Sequence, residues 1–109
     1  MTTRRRARRI GRDFVPAPNA AVHTVEIDGE AVLLDQAANR LHHLNPTATL
    51  VWACLDGRAS IAEIAVDLSR GFGAPHHTVL ADTIAVTRML GDEGLLANVE
   101  PKARATPDA

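Results

Sequence analysis

Apolar residues gather in two β-rich runs near the start of the folded part of the chain, Val22-His-Thr-Val-Glu-Ile27 and Glu30-Ala-Val-Leu-Leu-Asp35. Short runs of this composition bounded by turn residues read as strands. Asp28-Gly29 separates the runs, and a two-residue turn of that kind needs positive φ at both positions, so the pair predicts a hairpin. Gln36 to Asn39 reads as a second turn, with Asn39 tolerant of the left-handed conformation. Arg40 to Leu44 then gives a third short strand and completes an antiparallel meander.

The pattern changes period at Asn45-Pro46. Asparagine is a favoured N-cap and proline suits the first helical position, where a missing N–H costs nothing. A helix is expected from Pro46 to Leu55, ended by Asp56-Gly57. Ser60 and Glu63 have capping-box spacing, and Ile61, Ile64, Ala65 and Leu68 recur at helical intervals, predicting a second helix from Ile61 to Arg70. A third is expected from Pro75 to Asp92, closed by Gly94. It carries two apolar stripes: Val79, Val86 and Leu90 with Thr83 between them, and beside these Leu80, Ile84 and Thr87. One stripe suffices to attach a helix to a small core, so the second either extends the core or is left to line a groove. The expected fold class is α+β: a three-stranded antiparallel sheet followed by three helices, similar to a winged helix.

Charge divides the chain. Arg4, Arg5, Arg6, Arg8, Arg9 and Arg12 occupy the first twelve positions without an acid among them. From residue 13 onward six basic residues face thirteen acidic ones, a net of −7. Like charges repel and bury little, so residues 1–21 read as a basic disordered arm and linker, 22–97 as the folded domain and 98–109 as a disordered tail. The arm suits nucleic acid, an acidic membrane surface or the acidic face of a partner.

Candidate chemistry is sparse. The pairs His42-His43 and His76-His77 suggest a metal at first sight, but neighbours on a strand point to opposite faces and no carboxylate or cysteine stands at ligand spacing. The single cysteine, Cys54, excludes an intramolecular disulfide and falls in an apolar helical run, as a buried small hydrophobe does. No constellation of nucleophile, base and oxyanion donors is present. The chain therefore reads as a binding module without cofactor or metal rather than as an enzyme. A winged-helix DNA reader is the first alternative. The acids Glu63, Asp67, Asp82, Asp92 and Glu93 on the second and third helices disfavour it, because phosphate contacts carry most DNA affinity. With no run of eighteen apolar residues and no hydrophobic segment after the arginines, neither a membrane span nor an export signal is expected, and the cytoplasm is the default.

Several stretches in combination carry a resemblance: Ala-Val-Leu-Leu-Asp (31–35), Arg-Leu-His-His-Leu-Asn-Pro-Thr-Ala (40–48), Val-Trp (51–52), Leu-Asp-Gly (55–57), Ile-Ala-Glu-Ile-Ala (61–65), and finally Asp82 with Gly-Leu-Leu (94–96). Over residues 22–97 the chain resembles the PqqD family, small peptide chaperones also called RiPP precursor peptide recognition elements. The resemblance implies binding of the leader segment of a ribosomally synthesised precursor, and its presentation to a modifying enzyme such as a radical SAM protein. It implies that the leader adds as a strand along the third strand, in the cleft beside the third helix. The residues themselves favour the same mode, since a meander leaves an edge strand with unpaired amides and carbonyls. The candidate peptide-binding residues are Arg40, Leu41, His42, His43 and Leu44 on the edge, with Leu80, Ile84, Thr87 and Arg88 on the helix. Arg40 and Arg88 are suited to acids of the leader. An open edge also permits a homodimer. The second alternative is an interaction subunit that recognises no leader. The arginine arm is not part of the family pattern.

Overall fold

The computed structural model describes residues 4–102. Three antiparallel strands are followed by three helices, as the sequence predicts. The elements in chain order are β1 (Arg5–Arg6), a 3-10 turn (Ala7–Arg9), β2 (Val22–Ile27), β3 (Glu30–Asp35), β4 (Arg40–His43), α1 (Pro46–Ala53), α2 (Ile61–Phe72), α3 (His76–Asp92) and β5 (Val99–Glu100). The sheet order is β2-β3-β4, so β3 is central and both β2 and β4 are edges.

Local chemistry places the boundaries. Asp28 and Gly29 both adopt positive φ (52° and 79°), as the tight turn requires, and Asn39 takes the left-handed conformation in the second turn (φ 53°). Asn45 caps α1 by accepting a bond from the Ala48 amide at 2.8 Å. Ser60 and Glu63 form the reciprocal capping box of α2. Gly73 and Gly94 end α2 and α3 with positive φ.

The sheet has one packed face and one open face. Ala31, Leu33 and Asp35 of β3 are buried and turn toward the helices. Ala31 and Leu33 join Leu44, Val51, Ile61, Ile64, Leu90 and Leu96 in one core. Thr49 ties sheet to helix. Its hydroxyl oxygen accepts from the Ala31 amide (2.8 Å) and its O–H donates to the Leu44 carbonyl (3.3 Å). The Leu44 amide donates to the Ala31 carbonyl at 2.8 Å, so the threonine hydroxyl completes the last rung of the β3–β4 ladder.

The N-terminal segment differs from the expected disordered arm. β1 pairs in parallel with β5, and Ala7 and Ile10 lie in the core, Ile10 with no exposed surface. Arg88 clamps the segment with a fork, Nε and Nη2 donating to the Ile10 carbonyl at 3.2 and 2.9 Å. The amides of Ile61 and Ala62 donate to the carbonyls of Phe14 and Arg12. The physical reason is the apolar pair Ala7 and Ile10, three residues apart on a tight turn. It docks beside α3 while the arginines stay in water. The expected tail also begins with structure, in β5, and its remainder, 103–109, lies outside the described residues.

Candidate functional site

β4 has β3 as its one strand neighbour among the described residues. The Leu44–Ala31 bond sets the phase of the ladder. Alternation in an antiparallel pair then turns the backbone groups of Arg40 and His42 toward β3 and those of Leu41 and His43 outward. The outward edge thus offers two amides and two carbonyls, spaced to accept an extended segment.

The side chains alternate in the opposite sense. Leu41 is the most exposed large apolar residue among the described residues, at 70%. It shares the open face with His43, whose Nε2 lies 2.8 Å from the Glu30 carboxylate. Arg40 and His42 turn inward, where Glu93, just past the end of α3, meets both: its Oε2 lies 3.7 Å from Arg40 Nη2 and 4.0 Å from His42 Nδ1. The C-terminal end of α3 therefore stands beside the inner side of the β4 edge.

Not all the expected residues gather there. Arg40, Leu41, His42 and His43 do. Leu44 is 3% exposed and belongs to the core, and its amide and carbonyl are engaged by Ala31 and Thr49 rather than turned to the outward edge. Thr87 is fully buried, its hydroxyl donating to the Thr83 carbonyl at 2.7 Å. Leu80 and Ile84 are partly buried against the core. At roughly 100° per residue they fall on the flank of α3 that also bears Gly91 and Arg88, whose contacts are Val99 and Ile10. That flank faces the N-terminal segment and β5. Arg88 is likewise engaged by the backbone at Ile10.

The flank toward β4 carries different residues. Asp82, Val86 and Met89 lie within roughly 40° of Glu93 around the helix axis. Val86 is half-buried and Met89 is 38% exposed. Sequence reasoning assigned Val86 to the core stripe, used Asp82 in the family resemblance without giving it a place in the site, and counted Glu93 only as an acid that repels phosphate. The signal was present in the spacing 82, 86, 89 and 93, which repeats every three or four residues. Beyond Asp82 this flank runs into an apolar hollow of about 200 Å³ between the three helices, lined by Leu50, Val51, Leu68, Phe72 and Val79 among others.

Reactive groups do not converge. Burial and the nearby Asp67 and Asp56 carboxylates push the Cys54 thiol above its ordinary pKa, which disfavours the thiolate. His76 and His77 are exposed at the start of α3. Among the described residues no three His, Cys, Asp or Glu side chains gather closely enough to hold a metal ion, and no helix is long and apolar enough to cross a membrane. What the arrangement can do is pair backbone with an extended chain and sort its side chains.

Known proteins share this architecture. The PqqD truncation of Methylobacterium extorquens PqqCD, a functional and stand-alone RiPP recognition element, superposes with a TM-score of 0.71 at 23% identity, covering 83% of this chain and 96% of that one. TbiB1 in complex with the TbiA(beta) leader peptide gives a TM-score of 0.68 at 25% identity over 74% of this chain and 94% of that one. Lasso peptide synthetase B1 complexed with the leader peptide gives 0.67 at 23% identity over 76% and 98%. Among curated proteins no sequence matches significantly. The family model of coenzyme PQQ synthesis protein D (PqqD) matches residues 30–96, from the first residue of β3 to beyond the end of α3 and more than half of the chain. On that match, the chain belongs to the PqqD family.

Proposed function

We propose that this protein is a leader-binding adaptor: it takes the leader segment of a ribosomally synthesised precursor peptide as an added strand on β4 and presents it to a modifying enzyme. The observation that carries this reading is the open β4 edge, with the backbone groups of Leu41 and His43 turned outward beside α3. The solved relative TbiB1, which holds a leader peptide, supports it.

Each outward amide or carbonyl that pairs contributes ~0.5–1.5 kcal/mol net, and this pairing has little sequence preference. Selection falls to side chains. Inward-pointing leader residues meet Arg40, His42, Val86, Met89 and Glu93, and an apolar anchor has the hollow near Leu50 and Phe72 within the same flank of α3. Arg40 and Glu93 offer both signs of charge to the leader. Leu41 and His43 provide cross-strand neighbours on the open face.

The protein acts as a carrier without catalysis of its own, in the cytoplasm, where precursor and enzyme meet. Its recipient is a modifying enzyme such as a radical SAM protein. The second open edge, β2, with Val25 and Ile27 each 57% exposed, is suited to pairing with a second copy, which gives a homodimer that leaves β4 free.

Calorimetric titration with candidate leader segments tests the reading. Leu41→Pro removes one outward amide while sparing the ladder to β3, a position where an edge strand tolerates proline. It should weaken leader binding by about tenfold, the equivalent of one or two backbone bonds. Unchanged affinity in this variant overturns strand addition at β4.

A further inference from the structure

The described part of the arginine segment is a fixed surface. Ala7 and Ile10 anchor it in the core, β5 pairs with it, and Arg88 holds the Ile10 carbonyl. Arg5 lies over the Phe14 ring, 5.3 Å from its centroid, and donates to the Arg9 carbonyl. A hollow lined by Arg4, Arg5, Arg6, Arg8, Arg9 and Glu100 results. Its one ion pair among the described residues is the loose contact of Arg6 with Glu100 at 3.9 Å. Arg4, Arg8, Arg9 and Arg12 are exposed and form no ion pair among those residues. The apolar pair does the anchoring, so folding does not require these charges. Holding them side by side is unfavourable until an anion arrives.

We propose that this surface docks an acidic polypeptide, the protein partner to which the loaded chain is delivered; the partner's role rests on the adaptor reading, the docking chemistry does not. Two observations favour polypeptide carboxylates over nucleic acid phosphates. The rest of the chain carries a net of −7, which opposes a polyanion that would extend beyond the patch. Glu100 lies inside the patch and Asp92 borders the adjoining hollow with Arg6, Arg8, Arg88 and Lys102, so the charge is mixed where it meets α3. A second copy fits less well, because the exposed acids among the described residues are spread over separate elements: Asp13 after the arginines, Glu26 in β2, Asp28 in the hairpin turn, Asp56, Glu63 and Asp67 in and before α2, Asp82 in α3 and Glu100 in β5.

The test uses the full chain and a fluorescent decaglutamate peptide as the probe, read by anisotropy. Binding should weaken by at least about tenfold between about 50 and 300 mM salt, as screening requires. The exposed double variant Arg8→Glu with Arg9→Glu should abolish it while melting as the wild type does and binding leader segments unchanged. That last arm separates this proposal from the adaptor reading, since loss of decaglutamate binding alone leaves β4 untouched. Absence of decaglutamate binding, or binding unaffected by the double variant, overturns the proposal. So does tighter binding of a duplex DNA of equal charge, which reassigns the surface to nucleic acid. Salt-sensitive self-association that the double variant removes overturns it in favour of a second copy.

Discussion

Gly91 of α3 faces Val99 of β5 so closely that a Cβ at position 91 would stand 2.5 Å from the valine Cγ1. The helix surrenders propensity at this position so that β5, and β1 paired to it, can lie against α3. Gly91→Ala should therefore destabilise the protein, against the gain of ~1 kcal/mol that alanine brings to an open helix position. Overpacking of this kind costs ~1–3 kcal/mol. Thermal unfolding should show a lowered midpoint, restored in part by Val99→Ala. A Gly91→Ala protein more stable than the wild type would show that β5 does not pack here.

The Thr49 hydroxyl stands between the Ala31 amide and the Leu44 carbonyl, all buried. Thr49→Val keeps the shape and removes the bridge, leaving two backbone groups unsatisfied. Chemical denaturation should report a loss of ~1–3 kcal/mol, and Thr49→Ser should recover most of it. The same rung fixes the phase of β4, so the valine variant should also weaken leader binding.

Much of the fold was legible because it is written locally. Asp28-Gly29, Asn39, Asn45-Pro46 and the Ser60–Glu63 box each specify a turn or cap within four residues. The basic arm was misread because six arginines dominate its composition, while its fate is decided by Ala7 and Ile10 docking beside α3, where Arg88 lies 78 residues from Ile10. Gly91 and Val99 make that docking possible, and neither reveals its partner in the sequence. The third helix shows the same limit. Its two flanks, Leu80 with Ile84 and Val86 with Met89, both repeat at helical spacing, although the sequence reading put Val86 in the core stripe and left Met89 out. Which one faces β4 depends on how the helix is rotated on the core. Glu93 joins the site by reaching Arg40 across the fold, a contact with no local signature.

Asp56 gives a pH test. Its carboxylate accepts from the Arg58 and Ala59 amides at 2.8 and 2.9 Å, chiefly the latter lowering its pKa below the ordinary 3.8. A depressed folded value means that the charged form contributes stability above the unfolded value, and that this is lost as pH falls through the folded one. The midpoint difference between wild type and Asp56→Asn should be full near neutrality and shrink as pH drops below about 3.8. A difference that persists unchanged in strong acid would assign the effect to something other than this charge.

Backbone amide exchange, followed by NMR with and without a leader segment, tests the central claim most directly. The amides of Leu41 and His43 exchange freely in the unliganded protein if they face water, and on binding both should shift and become protected together with neighbours near Met89. Saturating ligand that leaves Leu41 and His43 unprotected, or that protects Thr24 and Glu26 of β2 instead, would contradict strand addition at β4.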